Sequence, residues 1–223
     1  HVMVKKLKTH WRSGAATGQI SPLTAQLLGA PDDRGVLNVG GRLGASQGPA
    51  AVRGLLSGFM LGLDGELERL ALYRGVDVSL GDSIEHSHRE LRSAVADCLR
   101  QGITPVVLGG GHDFGYPHYA GAADALGGKT ALINVDAHLD VRPPSPDGIT
   151  SGSPFYLALE EGVLEGRRFV EFGIQEHCND KQYGDYLRSK GARIMMLNES
   201  RARRGAVSNF KALIDGFARK GLS

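Results

Sequence analysis

From Ala30 onward, short apolar runs rich in β-branched residues alternate with longer stretches whose apolar positions recur every three to four residues. Thr104–Leu108 and Thr130–Val135 are continuous apolar runs, the pattern of strands buried on both faces of a parallel sheet. Val36–Val39, Arg168–Phe172 and Arg193–Leu197 are further strand candidates. Pro49, one residue after Gly48, opens a helix reaching Gly58. A second helix begins at Ser83 as cap and runs to Gln101, with Leu91, Val95, Cys98 and Leu99 on one face and Gly102 as its stop. Tyr183–Lys190 and Ser208–Lys220 read as helices as well. The alternation predicts an α/β fold, a doubly wound parallel sheet with helices on both faces. Residues 1–30 carry no comparable regularity.

Composition narrows this picture. A chain of 223 residues with 41% hydrophobic and 22% charged residues has the length of one α/β domain and enough apolar surface to exclude general disorder. His1-Val2-Met3 reads as a cloning scar, leaving residues 4–223 as a single domain. No apolar run is long enough to span a bilayer and no signal-peptide pattern opens the chain, so a soluble, cytoplasmic protein is expected. The net charge of +2, from 26 basic and 24 acidic residues, leaves no basic footprint for nucleic acid and no polybasic membrane anchor. Cys98 and Cys178 lack metal-type spacing and read as reduced thiols. The 32 glycines follow no period and point to tight strand-to-helix turns.

In a parallel α/β sheet, ligand chemistry sits beyond the carboxyl ends of the strands. Directly after Leu108 comes Gly109-Gly110-Gly111-His112-Asp113, and directly after Val135 comes Asp136-Ala137-His138-Leu139-Asp140-Val141-Arg142. On an extended segment, Asp136, His138 and Asp140 share one face. Two carboxylates flanking an imidazole, with a further histidine after a neighbouring strand, form a mixed oxygen and nitrogen set suited to manganese or a similar divalent ion. The alternative is a solvated strand end. A phosphate cradle fails, because Phe114 breaks the dinucleotide fingerprint and no GxxxxGK[ST] run exists. His86 and His88, two apart on a helix, read as solvated.

The two motifs resemble the first two metal-binding motifs of the ureohydrolases, the family of arginase, agmatinase and formimidoylglutamase. Asn38-Val39-Gly40-Gly41-Arg42-Leu43-Gly44-Ala45 and Gly48-Pro49-Ala50-Ala51-Val52-Arg53 resemble the first loop and helix of that family, and the likeness reaches at least Asn179. It implies an arginase-like three-layer fold, a homo-oligomer and two manganese ions. His112 and Asp140 would hold one ion, His138 the other, and Asp136 would bridge them. It also implies attack of a metal-bridging hydroxide on an amidine or guanidinium carbon, with Asp140 carrying the proton to the leaving nitrogen and His138 beside it.

Three features are similar to the formimidoylglutamase subgroup: Arg142 directly after the second motif, Thr150-Ser151-Gly152-Ser153-Pro154-Phe155 without a histidine, and Phe172-Gly173-Ile174-Gln175 followed by Asn179. Arg142 can pair with a substrate carboxylate, or else with a carboxylate of the protein itself. Ser151 and Ser153 are the accompanying substrate-binding candidates. The expected substrate is therefore a small amidine, N-formimidoyl-L-glutamate, yielding glutamate and formamide in histidine degradation. The alternatives are agmatinase-like or guanidino-acid hydrolysis, and a non-catalytic metal-binding or scaffold role on the same fold. The family's third metal motif, Asp-x-Asp, has no match after Asp140. The expectation is thus a C-terminally incomplete domain, with fewer ions than a complete site and with its activity in question.

Overall fold

The computed structural model describes residues 24–59, 71–202 and 205–223, so the supposed cloning scar at residues 1–3 lies outside the described residues. The elements are β1 (Thr24–Ala30), α1 (Arg34–Leu37), α2 (Gly48–Leu56), β2 (Ala71–Tyr73), α3 (Ile84–Arg100), β3 (Thr104–Gly109) and α4 (Gly115–Ala125). They continue with β4 (Leu132–Val135), α5 (Pro154–Glu160), β5 (Phe169–Ile174), α6 (Lys181–Ser189), β6 (Arg193–Met196), α7 (Leu197–Arg201) and α8 (Ala206–Ala218). Among the described residues no helix is long and apolar enough to cross a membrane.

Among the described residues every strand pairing is parallel, as expected, and the strands form two sheets of three, β2-β1-β3 and β4-β5-β6. Each is covered on both faces. Leu28 and Ala30 of β1 pack with Leu91, Val95 and Cys98 of α3, while Ala25 and Leu27 on its other face pack with Leu72 and Leu56. In the second sheet, Phe169 joins a core with residues of α4, α5 and α6, and Val170 and Phe172 meet Phe210, Leu213 and Phe217 of α8 on the opposite face. Alternate residues of one strand thus reach opposite helical layers.

Several expectations need correction. The segment left without pattern contains β1, the central strand of its sheet, with all seven residues buried. Its sequence, TAQLLGA, lacks a β-branched core, and burial between two partner strands sets its conformation instead. Val36–Val39 is not a strand. The Asp33 carbonyl accepts from Val36 and Leu37 amides, and Asp32 Oδ1 accepts from the Arg34 amide at 2.9 Å, which turns the chain into α1. The runs at β3 and β4 are strands but are not buried on both faces. Each has a single strand partner among the described residues, and Val106 and Val135 are exposed. Ser223 adds two backbone bonds beside β4, donating to Lys129 and accepting from Ala131.

The helix ends follow their local chemistry. Ser83 Oγ accepts from the His86 amide at 3.2 Å, and Gly102 takes φ +71° just beyond α3. Helix α4, which was not anticipated in a segment holding two glycines and a proline, packs closely on α3. A Cβ on Gly121 would lie 2.4 Å from the Arg92 carbonyl oxygen and 2.9 Å from Val95 Cβ, so the two backbones approach through that glycine. Gly121→Ala forces them apart and lowers stability by about 1–3 kcal/mol. Urea denaturation of the metal-free protein measures this, and an unchanged midpoint would contradict the close-packing account.

Candidate metal centre

The glycine run after β3 is a packing device. The Gly110 amide donates to the Ala30 carbonyl at 2.7 Å and the Gly111 amide to the Asp32 carbonyl at 2.9 Å. A Cβ on Gly110 would fall 2.2 Å from the Asp32 carbonyl oxygen. The chain therefore crosses the end of β1 in van der Waals contact and delivers His112 into a single 3-10 turn, His112–Phe114, ahead of α4.

His112 meets the second motif there. Its Nδ1 lies 2.5 Å from Asp140 Oδ2 and 3.7 Å from Asp136 Oδ2. One donor atom from each of His112, Asp136 and Asp140 falls within 4.8 Å of the others. His138 is not in that trio. Its Nδ1 lies 3.1 Å from Asp136 Oδ1, so the two oxygens of Asp136 face two different imidazoles. Asp140 is nearly buried at 11% exposure, whereas the His138 side chain is half exposed.

The extended, one-face geometry expected for Asp136–Asp140 does not occur. β4 ends at Val135, the segment folds back, and Asp140 is the one non-glycine residue with positive φ among those described, at +43°. That conformation costs on the order of 1 kcal/mol and is sustained by its neighbours. The Phe155 amide donates to the Asp140 carbonyl at 3.2 Å, and the Arg142 amide to the Gly152 carbonyl at 2.9 Å.

The donor chemistry fits a divalent cation. Two carboxylates converge on an imidazole, and no lysine or arginine pairs with either of them among the described residues. Burial of the His112 ring opposes its protonation. The hydrogen bond to Asp140 and the charges of Asp140, Asp136 and Asp113 outweigh that effect and raise its pKa.

Two buried polar pairs lie beneath the centre, and sequence reasoning found neither. His88, expected to be solvated, is buried in α3 with its Nε2 2.8 Å from Asp113 Oδ2, next to His112. The partner stands 25 residues away in sequence, so helical spacing held no signal of it. On the sheet side, Glu171 is fully buried and accepts from Asn134 Nδ2 at 2.9 Å. Burial pushes its carboxyl far above the usual range, the Asn134 bond opposes this, and the charges of Asp140 and Asp136 add to it.

The loop expected to bind substrate lies alongside. A Cβ on Gly152 would meet Arg142 Cδ at 3.2 Å, which places the Arg142 stem against that glycine, and among the described residues its guanidinium has no partner. Ser151 is half-buried and its amide donates to the Gly35 carbonyl at 2.8 Å. Ser153 is fully buried, with its hydroxyl 2.8 Å from Thr150 Oγ1, so it shapes the turn from inside.

Residues 23–220 match the family described as Arginase. The chain belongs to the arginase family. It is 39% identical over 168 residues to the formimidoylglutamase of Geobacillus thermodenitrificans, covering 73% of this chain and 50% of that protein. Identity is also 39% over 170 residues to the formimidoylglutamase of Klebsiella pneumoniae, covering 75% of this chain and 52% of that one. The chain therefore spans about half the length of the curated relatives it matches. Among solved structures, a variant of Trypanosoma cruzi formiminoglutamase with manganese superposes at TM-score 0.84 and 35% identity, over 95% of this chain and 71% of that one. The formimidoylglutamase of Bacillus subtilis superposes at TM-score 0.84 and 25% identity, over 99% and 68%. The arginase-like fold expected from the two motifs is thereby established, and the second motif of this family member bends rather than extends.

Two outcomes follow from the geometry. His88→Leu strands the buried Asp113 carboxylate without its partner, and denaturant unfolding is expected to show a loss of about 3–5 kcal/mol. A loss below about 1 kcal/mol would show that the pair is incidental. The raised pKa of His112 gives the metal-free protein a stabilising contribution that is complete below the ordinary imidazole value. It fades as pH rises through the higher folded-state value. As pH rises from below the ordinary imidazole value, stability should therefore fall more steeply in the parent than in His112→Asn. Equal slopes would count against the assigned charge environment.

Proposed function

We propose that this arginase-family protein hydrolyses N-formimidoyl-L-glutamate to L-glutamate and formamide, with manganese held by His112, Asp136, His138 and Asp140. The observation carrying this reading is the convergence of His112, Asp136 and Asp140 donor atoms within 4.8 Å, with no lysine or arginine paired to the carboxylates among the described residues. Relatives that bear the name formimidoylglutamase, one of them solved with manganese, support the substrate class and the ion. Asp136 turns one oxygen toward His112 and the other toward His138, so both of its oxygens would be available to hold metal. Manganese held by these residues would supply Lewis acidity.

The chain's own groups account for the rest. Water adds through oxygen to the formimidoyl carbon, the bond from that carbon to the glutamate nitrogen breaks, and formamide keeps the new oxygen. Asp140 accepts the proton that water loses and returns it to the departing nitrogen. Its low exposure and its contact with His112 hold it in one place for that task. The guanidinium of Arg142, without a protein partner among the described residues, meets a substrate carboxylate. Ser151 is the further candidate contact in the adjoining loop, and Ser153 supports that loop by fixing Thr150 from within.

The test is formamide release by the full-length protein loaded with manganese, together with the manganese content per chain. Asp140→Asn is expected to lower kcat by about 100-fold or more. Arg142→Met is expected to raise KM for formimidoylglutamate about 10-fold or more with a smaller effect on kcat. Loaded protein that releases no formamide would refute the activity, and an unchanged KM would remove Arg142 from substrate recognition.

A further inference from the structure

Over four residues, an extended strand would carry Asp140 about 13 Å beyond Asp136. Their carboxylates instead approach a single His112 nitrogen, at 2.5 Å and 3.7 Å. The chain between them must fold back and stay folded, with Asp140 held at φ +43°. Asn179 is placed to do this. Its Oδ1 accepts from the Leu139 amide at 2.8 Å, while its Nδ2 donates to the Ala137 carbonyl and to the Gln175 carbonyl, both at 2.8 Å. The partners themselves set the orientation of the amide, since an N–H needs the oxygen and two carbonyls need the nitrogen. One side chain thus grips the backbone on both sides of His138 and ties it to the turn after β5. The Gln175 amide reinforces the tie by donating to the Ala137 carbonyl at 3.1 Å.

We propose that Asn179 is a positioning residue that sets the spacing of Asp136 and Asp140 and the direction of His138 by bonding the backbone between them. It acts through the loop and touches no substrate. The inference rests on reading the cluster as a manganese site, and its test is chosen to separate the two.

Asn179→Asp keeps the shape and the acceptor for Leu139 but, when ionised, cannot donate to either carbonyl. Asn179→Ala loses all three bonds. Manganese affinity is measured by electron paramagnetic resonance of the free ion, and exchange of the Leu139 amide is followed in metal-free protein. Gly121→Ala, remote from the loop and destabilising for a different reason, serves as the control for general loss of stability. Both Asn179 variants are expected to weaken manganese binding about 10- to 100-fold while remaining folded by circular dichroism. Asn179→Ala should also speed Leu139 exchange, and Gly121→Ala should change neither quantity. Binding within about twofold of the parent in Asn179→Asp, or a loss matched by Gly121→Ala at equal stability, overturns the proposal. If the parent binds no manganese, the reading of the cluster fails. Leu139 exchange then decides Asn179 alone, and unchanged exchange in Asn179→Ala overturns its positioning role as well.

Discussion

Two carboxylates and an imidazole, brought within 4.8 Å of one another with no lysine or arginine among the described residues to neutralise them, are the constraint around which this molecule is built. Like charges at that distance repel, and near the protein surface the repulsion is not fully screened. Such a set persists only on a frame stiff enough to resist its separation. The carboxylates leave their mark on the groups around them: with the hydrogen bond to Asp140 they raise the pKa of His112, and they add to the larger effect of burial that raises that of Glu171.

The frame comes from parallel strands. In each sheet all strands run the same way, so their carboxyl ends gather on one side and release their loops there. His112 follows a strand of one sheet and Asp136–Asp140 a strand of the other, so their meeting depends on how the two sheets are joined. Helix α4 makes that joint. It leaves the His112 turn, packs against α3 over the first sheet, and contributes Tyr116, Tyr119 and Ala120 to the core shared with the second.

Polar groups under the centre complete the support. His88 with Asp113, and Asn134 with Glu171, bury hydrogen-bonding groups where apolar residues would pack at lower cost. Both pairs keep further polar atoms unpaired and buried, namely His88 Nδ1 and Asp113 Oδ1 in the first and Glu171 Oε1 in the second. Groups held in that condition are the mark of a region in which geometry has been favoured over stability.

Much of this was legible in the residues themselves. The alternation of apolar runs with helical periods specified a parallel α/β fold, Ser83 and Gly102 marked the ends of α3, and the residues after Leu108 and Val135 located the centre. These features depend on backbone and side-chain preferences acting over a few positions, which a linear pattern records. The central place of β1 was invisible because its burial comes from two partner strands rather than from its own composition. Val36–Val39 misled because apolar residues in succession suit a strand until nearby carboxylates and carbonyls turn the chain. His88, Glu171 and Asn179 reach partners 25 to 42 residues away in sequence, and the bonds of Asn179 to Leu139 and Ala137 lie within the reversed Asp136–Asp140 segment. The sequence by itself determined at which strand ends the candidate ligands stand. Only the tertiary structure decided their mutual distances and charge states, because both are set by groups that meet through packing and not through proximity along the chain.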